Sequence, residues 1–312
     1  MNPFPRIIFM GTPEFAVPAL DALVKAGYTI PAVVTAPDKP AGRGMKMNTS
    51  AIKRYATEHQ LNILQPEKLK DPAFIEELKK LKADVQVVVA FRMLPEIVWN
   101  MPPMGTINIH ASLLPRYRGA APINWAIING EEETGISTFK LTHAIDTGNI
   151  LLQQKVAIGQ EETAGELHDK LKNTGAGLLI KTLEGLLSQT IKEQPQDTLL
   201  NSSVKSTALH APKIFTETCR IDWNKTVDEI YNQIRGLSPF PGAFTTLNGK
   251  LLKIYRAEKY IAPDLPQPGL YETDKKTYLR FACANGFIYA QEVQAEGKRR
   301  MEIVEFLRGF RA

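Results

Sequence analysis

Cysteine is scarce in this chain of 312 residues: Cys219 and Cys283 are the only two, and they lie far apart. This pattern excludes a disulfide-rich secreted scaffold. No apolar run approaches the roughly 20 residues that a membrane-spanning helix requires, so we expect no membrane association. The first residues, MNPFPRIIFMG, contain no charged region followed by an apolar one, and we therefore expect no signal peptide. These features predict a reduced, cytoplasmic protein.

Several common site motifs are also missing. The first loop, G-T-P-E-F, follows a strand pattern but lacks the second and third glycines of G-x-G-x-x-G, and Pro13 removes an amide that would face a phosphate. A dinucleotide site is therefore excluded there, and no Walker A pattern occurs. The five histidines stand at no recognised metal-ligand spacing with either cysteine, so we expect no metal.

The composition is that of a globular protein, with 44% hydrophobic and 23% charged residues, and the length suits two domains. The net charge is +5, and residues 208–312 contribute most of it, with 16 Lys and Arg against 12 Asp and Glu. A basic region of this kind permits an anionic partner such as nucleic acid. An ordinary solvated surface is the other explanation for so small an excess.

The first 160 residues alternate β-branched runs with helical patterns, which predicts an α/β domain with a mostly parallel sheet. The predicted strands span residues 6–10, 28–35, 85–90, 106–109, 135–141 and 150–156. The predicted helices span residues 13–26, 71–81 and 163–189. In the first of these helices we expect Thr12 to be the N-cap and Pro18 to shorten or kink the helix.

The last third of the chain has a different character. Residues 191–212 are polar and aperiodic, which predicts a linker between a domain at 1–190 and another at 213–312. Short strand patterns follow, separated by turns such as Asn248-Gly249 and Asn285-Gly286, a strong hairpin signal. They predict a small β-barrel, for which the OB-like type is one option, with a closing helix at 304–310.

The region with the clearest chemical content runs from Asn108 to Asp146. Asn108 and His110 are two residues apart at the end of a predicted strand, so their side chains share a face. Ligands bind at the carboxyl ends of parallel strands. There an asparagine amide can bind an oxyanion while a histidine moves a proton, and Asp146, in a D-T-G turn, can orient the imidazole. Each feature alone is compatible with a structural role; their joint occurrence favours carbonyl chemistry.

Over essentially its whole length the chain resembles the 10-formyltetrahydrofolate-dependent formyltransferase family. The motifs that carry the resemblance are F-M-G-T-P-E-F-A, P-A-G-R-G, N-I-H-A-S-L-L-P-R-Y-R-G-A-A-P-I-N-W-A, D-T-G, A-P-K-I and R-I-D-W. The flanking motifs and the basic C-terminal region are similar to those of the branch of the family that acts on methionyl initiator tRNA. The resemblance implies a Rossmann-like N-terminal domain, an OB-like β-barrel that binds tRNA, and a monomeric enzyme without a metal.

The resemblance also implies roles for particular residues. The catalytic residues would be Asn108, His110 and Asp146. The folate pocket would be lined by Ser112, Leu113, Leu114 and Pro115. The tRNA acceptor end would be contacted by Arg43, on a mobile loop, and by Lys213. One departure is Phe91-Arg92, where many relatives have a Tyr-Gly pair whose backbone lines the pterin slot.

Three other functions compete with formylation of tRNA. A 10-formyltetrahydrofolate hydrolase would use the same three catalytic residues with water as the nucleophile, but it would leave Arg43, Lys213 and the basic region without a role. A sugar-nucleotide formyltransferase is the second alternative. A non-enzymatic folate- or RNA-binding module is the third, and it would not explain why asparagine, histidine and aspartate occur together.

Overall fold

The computed structural model of the protein describes residues 5–41, 46–199 and 210–310. The described residues form two compact units. The first is drawn from residues up to 118, from 135–156 and from 169–199; the second is drawn from 119–134, 157–168 and 210–310. Two segments that precede residue 190 therefore pack with the C-terminal residues.

The elements are numbered here in chain order. The strands are β1 (Arg6–Gly11), β2 (Thr29–Val34), β3 (Lys39–Ala41), β4 (Lys46–Asn48), β5 (Ile63–Leu64), β6 (Val85–Val89), β7 (Thr106–His110), β8 (Arg118–Gly119), β9 (Glu133–Lys140), β10 (Ile150–Ala157), β11 (His210–Ala211), β12 (Ala243–Leu247), β13 (Lys250–Ile261), β14 (Tyr271–Thr273), β15 (Leu279–Cys283), β16 (Gly286–Ala295) and β17 (Met301–Glu302). The α-helices are α1 (Val17–Lys25), α2 (Ala51–Glu58), α3 (Pro72–Lys80), α4 (Glu96–Trp99), α5 (Pro122–Ile128), α6 (Ala164–Leu187), α7 (Thr216–Cys219), α8 (Val227–Gly236) and α9 (Ile303–Arg308). Short 3₁₀ helices span Glu14–Ala16 and Gln196–Leu199.

The first unit is built on a seven-stranded sheet in the order β10-β9-β7-β6-β1-β2-β5. The strands from β7 to β5 in this order pair in parallel, and β9 runs antiparallel to β7. All five residues of β6 are buried, as expected for a central strand whose two faces are both covered. The predicted mostly parallel, Rossmann-like sheet is confirmed.

The start of the first helix differs from the prediction. Thr12 is not an N-cap: Pro13 caps a 3₁₀ turn over Glu14–Ala16, and α1 begins only at Val17. Pro18 therefore lies in the first turn of α1, where an N–H would have no acceptor within the helix and its absence costs little. The proline sets where the helix begins and does not kink it.

The second unit contains a six-stranded antiparallel sheet, in which β12, β13, β16, β15 and β14 follow one another and β17 pairs with β16. Its apolar core also takes Ile230 and Ile234 from α8 and Leu307 from α9. The predicted Asn248-Gly249 turn joins β12 to β13, with φ values of +50° and +76° that suit a type I′ hairpin. This arrangement confirms the predicted small barrel-type domain.

Within the described ranges, every helix is too short or too polar to cross a membrane.

Candidate functional site

The first three candidate residues meet at the carboxyl edge of the parallel sheet in the first unit. Asn108 and His110 end β7, which lies between β6 and β9. Strand alternation places both side chains on one face. Asn108 is half-buried and His110 is buried, with 8% of its surface exposed. The D-T-G turn before β10 brings Asp146 Oδ2 to 3.8 Å from His110 Nδ1.

The His110 ring is held from one side and faces a carboxylate on the other. Its Nε2 lies 2.9 Å from the Tyr117 carbonyl oxygen, and its Nδ1 lies 3.8 Å from Asp146 Oδ2. Because a carbonyl oxygen only accepts hydrogen bonds, Nε2 carries the hydrogen of this contact. In the neutral ring Nδ1 is then the basic nitrogen. It is the atom that can take a proton, and Asp146 is placed to stabilise the resulting imidazolium.

The Asn108 amide has no hydrogen-bond partner among the described residues, although it is half-buried. An unpaired amide beside a buried imidazole is a donor that a bound molecule can use. Its NH₂ group suits an oxygen that becomes negative during a reaction. The pair therefore combines an oxyanion donor with a proton acceptor.

Three residues near this edge have a positive φ without being glycine. Ala90 directly follows β6, and it shares the left-handed region with Tyr117 and Asp146, at φ values of +46°, +58° and +54°. A residue other than glycine in this region costs about 1–3 kcal/mol, which surrounding contacts must offset. Such strain is typical of functional sites. Two of the three residues are the contact partners of His110.

Hydrogen bonds hold the S-L-L-P segment, residues 112–115, in a defined position. Ser112 Oγ donates to the Arg116 carbonyl at 2.7 Å, and the Leu114 N–H donates to Ser137 Oγ at 3.0 Å. Gln153 Nε2 donates to the Leu114 carbonyl at 2.9 Å.

The burial of this segment limits what it can offer to a ligand. The side chains of Ser112, Leu114 and Pro115 are buried, whereas Leu113 is half-buried. Leu113 is therefore the most exposed side chain of this segment.

Arg92 is turned towards the chain itself. Its guanidinium donates to the carbonyls of Pro66 and, at 2.9 Å, of Glu67. Burial lowers the pKa of the Arg92 guanidinium, and its carbon lies 5.6 Å from the centre of the Phe91 ring. Two of its nitrogens are thus committed to backbone carbonyls.

Arg43 lies outside the described residues. On either side of it, β3 and β4 pair in antiparallel fashion. Asp38, which directly precedes β3, forms an ion pair with Lys53. The hydrogen bond from Lys53 lowers the pKa of the Asp38 carboxyl.

Lys213 lies in the second unit, on a segment that hydrogen bonds hold in place. The Ala211 carbonyl accepts from the Ala120 N–H at 2.7 Å, and Trp125 Nε1 donates to the Pro212 carbonyl at 2.7 Å. Lys213 is exposed, with its Nζ 5.9 Å from the centre of the Phe215 ring. The A-P-K-I motif thus rests on the A-A-P-I-N-W motif and presents a cation to solvent.

Tyr117, Ser137 and Gln153 contact the candidate residues, and the sequence did not indicate them. The contact of Tyr117 is made by its backbone carbonyl, which leaves no sequence signal. Ser137 Oγ also donates to the Ser112 carbonyl at 2.7 Å and accepts from Gln153 Nε2 at 2.8 Å. Ser137 is fully buried in β9, and a fully buried hydroxyl needs partners, but its burial is not visible in the sequence ETGISTFK.

Comparison with known proteins adds family membership to this geometry. Residues 5–183 match the family described as "Formyl transferase", and residues 213–311 match "Formyl transferase, C-terminal domain". A methionyl-tRNA formyltransferase of Bacteroides fragilis is 51% identical over 310 residues, covering 98% of this chain and 95% of the relative. One from Phocaeicola vulgatus is 53% identical over 312 residues, with 98% and 96% covered.

A solved structure shows the same fold at lower identity. The N-formyltransferase from Helicobacter canadensis, in complex with folinic acid and dTDP-3-aminofucose, is 22% identical with a TM-score of 0.67. The match covers 91% of this chain and 98% of that one. In the part of the chain that the structure describes, no three His, Cys, Asp or Glu side chains form a metal-ligating group.

Proposed function

Because this chain belongs to the formyl transferase family, we propose that it transfers the formyl group of 10-formyltetrahydrofolate to the α-amino group of methionyl initiator tRNA. The product is N-formylmethionyl-tRNA, used in translation initiation. The relatives that are 51% and 53% identical are methionyl-tRNA formyltransferases, which supports this choice of acceptor. The structural observation that carries the chemistry is the unpaired Asn108 amide beside a His110 ring whose Nδ1 faces Asp146.

Asn108 acts on the oxygen of the formyl group in this mechanism. The amino nitrogen attacks the formyl carbon, a C–N bond forms, and the carbonyl oxygen becomes negative. The Asn108 NH₂ donates to that oxygen and so stabilises the tetrahedral species more than the ground state. The species collapses when the bond from the carbon to N10 breaks.

His110 and Asp146 handle the proton. The attacking amine loses a proton to His110 Nδ1, while the contact of Nε2 with the Tyr117 carbonyl keeps the ring oriented. Asp146 stabilises the imidazolium through its carboxylate. His110 then returns the proton to N10, so that the folate leaves as a neutral amine.

The remaining predicted residues bind the substrates in this proposal. Residues 112–115 line the folate pocket, with the Leu113 side chain and the backbone in contact with the folate. Arg43 and Lys213 contact the tRNA acceptor end. Residues 1–190 form the catalytic domain, 191–212 the linker and 213–312 the tRNA-binding barrel of a monomeric, cytoplasmic enzyme.

One assay tests the function directly. The protein is incubated with 10-formyltetrahydrofolate labelled in the formyl group, together with methionyl initiator tRNA, an amino-sugar nucleotide or water alone. We expect the label in N-formylmethionine. Label in free formate without tRNA would indicate the hydrolase, and label on the sugar nucleotide would indicate the sugar formyltransferase.

Binding of tRNA is expected to weaken steeply as salt rises. Each phosphate contact releases counterions and contributes about −0.9 to the slope of log affinity against log salt for a duplex. Lys213→Ala should therefore weaken tRNA binding and make the slope shallower by about 0.9. Filter binding at several salt concentrations measures both quantities.

The matched control is Lys79→Ala, an exposed lysine on α3 whose Nζ pairs with Glu76 at 2.8 Å. It should leave both affinity and slope unchanged. Binding of tRNA that does not depend on salt, or an unchanged slope in Lys213→Ala, would contradict the tRNA assignment.

Asp146→Asn should lower kcat by about 10- to 100-fold while the protein stays folded, because the change keeps the shape of the side chain and removes the charge that supports proton transfer. Turnover at saturating substrates and thermal unfolding are measured together. If the variant fails to fold, the role of Asp146 in the turn is structural; if it folds and retains full kcat, its assigned role is wrong.

A further inference from the structure

Part of the predicted linker lies against the D-T-G turn of the first unit. We call residues 193–196 the strap. The backbone of Gln194 exchanges two hydrogen bonds with Ile150, at 2.8 and 2.9 Å, and Asn149 Nδ2 donates to Glu193 Oε2 at 3.1 Å. Glu193 also pairs with Lys140 at 2.6 Å. The strap therefore has a defined position beside the turn that contains Asp146.

Gln196, at the end of the strap, is 2% exposed and uses its whole amide group. Its Nε2 donates to the carbonyls of Asp146 and Gly148, both at 2.8 Å. Its Oε1 accepts from Arg118, from Nε at 3.0 Å and from Nη2 at 2.5 Å. Because the two carbonyls only accept and the guanidinium only donates, the amide has a single possible orientation.

These four hydrogen bonds join the two segments that flank the His110 ring. Arg118 directly follows Tyr117, whose carbonyl accepts from His110 Nε2. Asp146 faces Nδ1 on the other side of the ring. Gln196 thus connects the chain on the Nε2 side of the imidazole with the chain on the Nδ1 side.

The backbone at Asp146 requires such support. Its φ of +54° is unfavourable for a residue with a Cβ and persists only where neighbouring contacts determine it. One hydrogen bond from Gln196 is made to the carbonyl of Asp146 itself, and the second is made two residues later. Both act on the part of the turn that aims the carboxylate.

We propose that Gln196 is a positioning residue for formyl transfer, which holds the Asp146 carboxylate opposite His110 Nδ1 and is itself oriented by Arg118. The inference rests on the proposed function, because it assigns Gln196 a role through Asp146. Gln196 touches neither substrate in this assignment. Its effect is on the rate of the chemical step and not on the binding of folate or tRNA.

Two substitutions at Gln196 change its hydrogen bonds in different ways. Gln196→Met has a similar length and removes both donors and the acceptor. Gln196→Glu keeps an acceptor for Arg118 but turns a carboxylate oxygen towards two carbonyls. We expect both variants to lower kcat by about 10- to 100-fold, the range for a small misplacement of a reacting group, with little change in either KM.

Gln233 offers a matched control in the second unit. Its Nε2 also donates to two backbone carbonyls, of Thr218 at 2.8 Å and of Arg220 at 3.0 Å. Gln233→Glu and Gln233→Met therefore remove the same pair of donor contacts elsewhere, although Gln233 Oε1, unlike Gln196 Oε1, accepts no hydrogen bond from a described residue. They should lower the melting temperature while leaving kcat unchanged.

A double substitution tests whether Gln196 acts through Asp146. In an Asp146→Asn background, Gln196→Met should lower kcat little further, because the group that it positions has lost its charge. Full additivity, or a normal kcat in Gln196→Met while Asp146→Asn is impaired, would overturn the positioning role and leave the proposed function intact. A normal kcat in Asp146→Asn would overturn both the assigned role of Asp146 and the positioning role of Gln196.

A readout without turnover distinguishes the two proposals further. The ¹⁵N resonance of His110 Nδ1 should change in Gln196→Met and stay unchanged in Gln233→Met. If the wild-type protein forms no formylmethionyl-tRNA but the resonance changes in Gln196→Met, the proposed function fails while the positioning contact stands. An unchanged resonance in Gln196→Met overturns the positioning.

Discussion

Replacing His110 by alanine is expected to lower kcat by about 100- to 10,000-fold, the range for loss of a proton-transfer group. The reason is geometric. The ring is buried, its Nε2 donates to the Tyr117 carbonyl at 2.9 Å, and its Nδ1 is left as the basic atom beside Asp146. The KM for folate should change little, because the proton moves only in the chemical step. Steady-state formylation of methionyl-tRNA at saturating folate measures the loss.

Two further variants make this result specific. His110→Gln can still donate to the Tyr117 carbonyl but provides no basic nitrogen, so it should be as slow as His110→Ala while remaining better folded. His59→Ala removes an exposed histidine that stacks on Tyr55 at 4.0 Å, and its kcat should be normal. Near-normal turnover in His110→Gln would show that the proton takes another route.

Asn108→Ala should lower kcat by about 100- to 1,000-fold, as expected when one donor to a developing oxyanion is lost. The Asn108 amide has no competing hydrogen bond among the described residues, so its full donor capacity is available to the reacting oxygen. Asn108→Asp is the sharper variant, because it keeps the shape and replaces the donor by an acceptor. Its loss of kcat should be at least as large. Pre-steady-state formylation separates this effect from product release.

Asn173→Ala is the matched control for this position. Asn173 is exposed on α6 and donates to the Asp169 carbonyl within the helix at 3.0 Å. Its replacement should leave kcat unchanged and should not destabilise the helix, because alanine has the higher helix propensity. If Asn108→Asp formylated tRNA at the wild-type rate, the oxyanion would have to be stabilised by another group.

Local patterns were sufficient for six of the seven strands of the first sheet, all except the two-residue strand β5, and for part of the site. The valine-rich run of β6 indicated a strand buried on both faces, and the Asn-Gly turn between β12 and β13 indicated a hairpin, because both depend on near neighbours. The spacing of Asn108 and His110 likewise placed both side chains on one face, because a strand has a period of two. The beginning of α1 was not predicted, since two prolines in one segment allow more than one start.

Contacts between distant residues were decided by the tertiary structure alone. No local pattern indicates that the Tyr117 carbonyl receives the His110 hydrogen, because every residue has a carbonyl. A polar, aperiodic segment predicts a linker. Gln196 in this segment is nevertheless buried, because the two carbonyls that its amide contacts belong to a turn some 50 residues earlier. The sequence by itself determined which residues have the chemistry to move a formyl group and a proton. The folded chain decided which nitrogen of His110 is basic and what holds Asp146 against it, because both depend on hydrogen bonds between segments that meet only in the folded protein.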